Sequence, residues 1–244
     1  MKRFLILIGL ALAAALLLAH PAAAQEISVD LGEEGALTNR VVQLILVVTL
    51  LSLAPSILVM TTSFVRIVVV LSLLRTALGL QQSPPNAVIV SLSLFLTAFV
   101  MWPVFLQSWE EGVQPLMAQE VELQDGAMAA SEPIKLFMVE HTRDADLALF
   151  FDLAEQDIPD SAEDSPFWVV APAFMISELR RAFEIGFLLF IPFLVIDLVV
   201  ASILMSMGMM MLPPIIISLP FKLIFFVLVD GWRLVAGSLV ESFQ

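Results

Sequence analysis

The side chains able to do chemistry in this chain are few and stand in unusual places. Glu178, Arg180, Arg181 and Glu184 open a long apolar run, and Asp197 and Lys222 interrupt apolar stretches farther on. Glu178 and Arg181 are three residues apart, and Arg180 and Glu184 four apart, which on a helix are ion-pair spacings. They read as a self-neutralising network at a helix entrance or as contacts between subunits. Asp197 is alone within FLVIDLVVAS and needs a donor from another helix or chain. Arg66, Arg75 and Lys222 are candidates among which the sequence does not choose. A buried structural pair and a proton relay are the two chemistries open to Asp197. Lys222 and Asp230 lie eight residues apart, about two helical turns, and cannot pair directly. Asp230 and Arg233 can.

Much chemistry is missing. The only histidines are His20 and His141, and there is no cysteine. A zinc site, a thiolate nucleophile and a disulfide therefore have no support. No phosphate-binding loop, dinucleotide fingerprint or nucleophile elbow occurs, and the carboxylates lack calcium-loop spacing. The expectation is a protein that is not an enzyme and holds no metal or cofactor.

The elements that must position the charges belong to a membrane protein. The 244 residues are 60% hydrophobic and only 14% charged, far from soluble averages. Four long apolar segments run from about Val41 to Val70 (interrupted at Pro55 and continuing towards Leu78), Ala87 to Leu106, Ile185 to Leu204, and Ile215 to Val229. Each is long enough to cross a bilayer as a helix, the open-chain form that satisfies its own backbone. Pro55, Pro103 and Pro192 should kink their helices. Pro84-Pro85 separates the first pair of segments and Pro213-Pro214 the second; each double proline is expected to stop one helix and start the next. The predicted fold is an all-α membrane protein, with two long kinked helical hairpins flanking a small helical extracytoplasmic segment. The expected divisions are 41–107 for the first hairpin, 108–170 for the acidic segment and 171–244 for the second hairpin.

At the N-terminus, Lys2 and Arg3, an apolar Phe4–Leu18 and the Ala22-x-Ala24 pattern read as a signal peptide cleaved after Ala24. Residues 25–40 then form a short extracytoplasmic segment. Residues 110–164 hold fifteen acids and two bases, Lys135 and Arg143, which accounts for the whole net charge of -13. That acidity is a solvated face or a dock for a basic partner and says nothing about nucleic acid, which is not an expected partner. Within it, Ser131 can cap a helix with Glu132 and Pro133 in its first turn. Two short amphipathic helices over 131–156 should pack their apolar faces on something, such as neighbouring copies. Residues 157–166 read as a linker. Arg66 and Arg75 favour a cytoplasmic first proline turn, which puts the acidic segment outside; Arg180-Arg181 then lies on the outer side, against the rule.

The second turn, MSMGMMMLPP, carries Met205, Met207, Met209, Met210 and Met211. Methionine is flexible and polarizable, so such a cluster makes a soft apolar surface. At about 100° per residue the five fall near 0°, 200°, 40°, 140° and 240°, which is not one stripe. Only a bent segment around Gly208 could aim several at one axis.

TTSFVRIVVVLSLLRTALGLQQSPPN at 61–86, PFWVVAPAFMISELRRAFEIGFLLFIPFLVIDLVVASILMSMGMMMLPP at 166–214 and SLPFKLIFFVLVDGW at 218–232 closely resemble the FliP family, flagellar biosynthesis proteins of the type III export gate. HTRDADLALFFDLA carries a weaker likeness in the acidic segment. The resemblance covers nearly all of the chain after residue 24. It implies a subunit that assembles as several copies, about five per gate, with FliQ and FliR, beside FlhA and FlhB. It implies a closed channel in the bacterial inner membrane, at the flagellar basal body, through which unfolded flagellar subunits pass. Such assemblies project towards the periplasm, so hydropathy can misplace the bilayer. The methionine stretch would form a gasket that narrows the pore. The competing readings are an injectisome export gate, a small-molecule secondary transporter supported only by Asp197, and an inert assembly scaffold.

Overall fold

The computed structural model describes residues 34–159, 161–209 and 211–243. The expected signal peptide at 1–24 lies outside the described residues, as do Met210 and most of segment 25–40. The chain divides into two units, residues 1–52 and 53–244.

In the first unit, helix α1 (Glu34–Met60) begins at Glu34, ahead of the expected Val41; its residues from Leu53 on, Pro55 included, belong to the second unit. From Arg40 to Ser52 every described side chain is exposed. The two hydroxyls of this stretch are satisfied within the helix: Thr49 Oγ1 donates to the Ile45 carbonyl at 2.7 Å and Ser52 Oγ to that of Thr49 at 2.8 Å. Beyond Gln43 such a stretch suits lipid or an apolar protein face.

The second unit continues with α2 (Phe64–Ala77), α3 (Asn86–Ser108), a π-helical turn (Trp109–Val113), and α4 (Gln114–Met117). Then come α5 (Leu123–His141), α6 (Asp144–Leu153), a 3₁₀ turn (Ala162–Asp164), α7 (Phe167–Ser206), α8 (Pro214–Leu228) and α9 (Gly231–Glu241). Among the described residues there is no strand. Three helical stretches, 40–60, 86–117 and 167–206, are long and apolar enough to span a membrane, and α8 with α9, bent by 64°, forms a fourth candidate.

Two apolar cores hold this unit together. One joins Ile67, Val70 and Leu74 of α2 to Ile89, Ala182, Phe193, Phe226 and Val235. The other joins Met101 of α3 and Val169, Val170 and Phe174 of α7 to Phe137, Met138, Leu147 and Phe151. The amphipathic helices of the acidic segment thus bury their apolar faces inside their own chain, and neighbouring copies are not required for that.

Three local expectations are corrected. First, α5 starts at Leu123, not Ser131. Ser131 instead donates back to the Met128 carbonyl at 2.8 Å, and Pro133 sits inside the helix. Small residues explain the longer helix: a Cβ on Gly112 would collide with the backbone of Ala130, and one on Gly126 would stand 3.0 Å from Leu116 Cβ. Burial against the π-helical turn outweighs the local start signal. Second, the apolar segment expected from Ile185 to Leu204 is part of a longer helix, since α7 starts at Phe167 and runs unbroken through Pro172, Arg180-Arg181 and Pro192. Third, the helix before each double proline is stopped by a glycine, not by the prolines.

Gly79 and Gly208 both take left-handed φ, 79° and 74°. After α2, Gly79 N–H donates to Thr76 O (2.9 Å) and Leu80 N–H to Arg75 O (3.2 Å). After α7, Gly208 N–H donates to Met205 O (3.1 Å) and Met209 N–H to Leu204 O (3.0 Å). Both are the paired bonds of a Schellman cap, which favours glycine at the left-handed position. In each turn the first proline follows five residues after the glycine, and the pair then opens α3 or α8. The two turns share a Gly-x4-Pro-Pro plan even though their other residues differ.

Candidate functional site

Two buried polar clusters and one exposed turn collect the residues singled out by sequence. The first cluster centres on Arg66, 2% exposed, and Glu178, fully buried. Arg66 Nε donates to Glu178 Oε2 at 2.8 Å, and Nη2 donates to Oε1. Nη1 donates to the carbonyl and the hydroxyl oxygen of Ser242, at 2.9 and 3.0 Å. The Phe243 ring lies 3.7 Å from the guanidinium carbon and is itself flanked by His141 and Phe137. A planar, bidentate guanidinium stacked on an aromatic face is well suited to a site without water.

This arrangement changes the expected network on α7. Glu178 does not pair with Arg181; it faces inward with Ser177 and Ala182 and takes Arg66 from α2. Arg180 and Arg181 point outward and share Glu184, at 3.1 and 3.8 Å. Glu178 and Arg181 are one turn apart, so spacing allows their pairing; packing against α2 buries Glu178 with Arg66 and leaves Arg180, Arg181 and Glu184 exposed.

The second cluster resolves the partner of Asp197. Lys222 Nζ donates to Asp197 Oδ2 at 2.6 Å and to the Ala77 carbonyl at 3.3 Å. Ser218 Oγ donates to Asp197 Oδ1 at 2.5 Å. Ser218 and Lys222, four residues apart, share one face of α8. Ala77 ends α2, so the ammonium also meets the negative end of that helix. The other candidates are engaged: Arg66 with Glu178, and Arg75 with Asn86 Oδ1 at 2.6 Å and the Pro84 carbonyl at 3.3 Å. Asp230 and Arg233 form no ion pair with each other; Asp230 takes φ 53° at the break between α8 and α9, where its carbonyl accepts from Leu234.

Beyond Asp197 and Ser218 the ends of α7 and α8 lean mainly on each other. A cavity of about 480 Å³ lies between them, lined by Val199, Val200, Ile203, Leu204, Ile217 and Phe221 among others. At the tip, Met205, Met207 and Met209 are exposed, and Met211 is 98% exposed. Nothing lies within 4 Å of where a Cβ on Gly208 would be.

Sequence reasoning missed Ser218, Ser242, Phe243 and the tie between Ser177 and Asp146, whose Oδ2 accepts from Ser177 Oγ at 2.7 Å. Ser218 had a readable signal, a hydroxyl one turn before the buried lysine. Ser242 and Phe243 had none, because their role depends on where α9 ends in space.

Both clusters join helices distant in sequence, and among the described residues none of their groups is paired as a nucleophile and base. Among the described residues, helices with apolar spans are clasped by ion pairs between helices, the build of a membrane protein. The FliP family profile matches residues 47–239, and the chain belongs to the FliP family. It is 65% identical to the flagellar biosynthetic protein FliP of Caulobacter vibrioides over 96% of this chain and 88% of that protein. It is 55% identical to the protein of that name in Bacillus subtilis, covering 83% of this chain and 91% of the relative. Against that of Agrobacterium fabrum it is 47% identical over the full length of both. The family is one of flagellar biosynthesis and not of enzymes.

Proposed function

We propose that this chain is a subunit of the flagellar type III protein export gate, in the bacterial inner membrane at the flagellar basal body. Several copies, with FliQ and FliR, form the channel for unfolded flagellar proteins, next to FlhA and FlhB. Residues 1–24 are the leader that is removed, 25–40 a short external segment, and 41–107 and 171–244 the two hairpin regions. The acidic region 108–170 stands outside the cytoplasm, and the assembly projects towards the periplasm.

The observation that carries this reading is the methionine turn. Four described methionines, Met205, Met207, Met209 and Met211, are exposed around a left-handed glycine at the tip of a two-helix arm. The root of that arm is fixed by Asp197, Ser218 and Lys222. A soft apolar tip on an anchored arm, repeated in several copies, makes a constriction that excludes ions when idle and moulds to passing chains. With Met210, these methionines form the gasket. Asp197 serves as a structural anchor in this scheme, which removes the one feature that favoured a small-molecule transporter.

The test replaces Met209, Met210 and Met211 with alanine in cells. The gate should still assemble, yet the membrane should leak small ions. Full ion tightness in an assembled triple variant would sink the proposal.

A further inference from the structure

We propose that α9 is a strap that ties the acidic segment to the root of the methionine arm. It is jointed to α8 at Asp230 and latched at its far end on Arg66, Phe137 and His141.

The joint is a single residue. Helices α8 and α9 meet at 64°. The Asp230 N–H closes α8 on the Val227 carbonyl, and the Asp230 carbonyl opens α9 by accepting from Leu234, each at 3.1 Å. Asp230 has the left-handed φ of 53°, and its side chain makes no capping bond. Packing holds the break instead, and Phe226 supplies it. A Cβ on Gly231 would collide with the Phe226 ring, which also stands edge-on to Trp232 with centroids 5.3 Å apart. Ser218, Lys222 and Phe226 follow one another at four-residue spacing on one face of α8, and all three are buried. The near end of the strap thus covers the residue one turn beyond Lys222.

The middle of the strap is loosely seated. Val235 and Leu239 are buried, but cavities of about 260 and 100 Å³ lie between α9 and the 185–193 stretch of α7. Leu189, Leu234 and Val235 line both. Empty space beside a side chain forfeits the contacts that would hold it. The far end is held differently. Ser242 takes directed hydrogen bonds from Arg66, and the Phe243 ring meets the guanidinium, Phe137 and His141. Phe243 also packs against both apolar cores.

Phe137 and His141 belong to α5, in the acidic segment. Directed contacts at one end and voids in the middle make α9 a unit that is seated when latched and freed as a whole when not. A helix of 11 residues is too short to persist alone in water, so a freed α9 also loses its backbone bonds. Freeing it uncovers Phe226 and loosens the end of α8, which is how a change in the acidic segment reaches the arm. That use in gating rests on the export-gate reading above.

Hydrogen exchange on the full-length chain in detergent tests the strap. Phe243→Ala is the released form, and Phe243→Leu keeps apolar bulk while losing the ring over the guanidinium. In Phe243→Ala, amides throughout 231–241 should exchange about tenfold faster or more. Those of 223–228 should also speed up, and those of 167–206 should keep their rate. Phe243→Leu should show the same pattern to a smaller degree. Acceleration confined to the residues beside 243 means a fraying end and overturns the strap. Equal acceleration in α7 and α9 means general loosening and overturns it as well. Unchanged amides over 223–228 overturn the tie to the arm. None of these outcomes alters the ion tightness of the methionine variants, so the strap can fall while the export-gate reading stands.

Discussion

Lys222 reaches from α8 to Asp197 on α7, Nζ to Oδ2 at 2.6 Å, while also donating to the last carbonyl region of α2 at Ala77. One ammonium therefore fastens three helices where the methionine arm leaves the body of the chain. Lys222 is 3% exposed, and the Asp197 side chain is 34% exposed. The lysine is the more deeply desolvated partner and depends more heavily on the pair.

Removing Asp197 strands that buried ammonium. Asp197→Leu should destabilise the protein by about 3 kcal/mol or somewhat less, given the partial exposure of the carboxylate. The double variant Asp197→Leu with Lys222→Met should recover much of the loss, because no unpaired charge remains. Thermal unfolding of the detergent-solubilised protein measures both. A double variant as unstable as the single one would show that the charges contribute more than a mutual neutralisation.

Arg66 should tolerate no conservative replacement. It uses Nε and Nη2 on Glu178 and Nη1 on Ser242 while stacked on Phe243. Lysine offers a point charge with no planar fork. Arg66→Lys should therefore cost roughly 2 kcal/mol or more, as lost buried charge-assisted hydrogen bonds do. Limited proteolysis should show earlier cleavage near the end of α9 in this variant. An unchanged digestion pattern would mean that Ser242 and Phe243 are held by something else.

Gly112→Ala should separate the π-helical turn from α5. Its new Cβ would meet backbone atoms of Ala130, which cannot rotate away as a side-chain tip can. Overpacking of this kind costs about 1–3 kcal/mol. Gly237→Ala is the matched control, since nothing lies within 4 Å of a Cβ there. Comparable melting temperatures for the two variants would contradict the close approach.

Gly208→Val should shorten or distort the methionine arm without touching its root. A β-branched residue at φ 74° is strained, by about 1–2 kcal/mol. Gly208→Asn, which accepts the left-handed region more readily, should be milder. Motility halos read the effect in cells. Equal halos for the valine and asparagine variants would argue that the turn's backbone shape does not matter.

The sequence alone determined the features that depend on nearby residues. Apolar runs long enough to span a membrane, the double prolines that open α3 and α8, the methionine cluster and the family likeness all lie in contiguous stretches. The double prolines also look like the helix stops, whereas left-handed glycines five residues earlier end α2 and α7. Helix boundaries were less legible. Ser131 and Pro133 look like a helix start, yet α5 begins at Leu123, since the fit of Gly112 and Gly126 against their neighbours is a tertiary fact.

Only the tertiary structure decided which charge answers which. Glu178 had a suitable arginine three residues away, but packing against α2 brought Arg66 from 112 residues away and left Arg181 exposed with Glu184. Asp197 had three possible cations, and the choice of Lys222 followed from Arg66 and Arg75 being engaged elsewhere. Spacing along the chain fixes which residues share a helix face. It does not fix which two faces meet, because that is set by the burial of whole helices against one another.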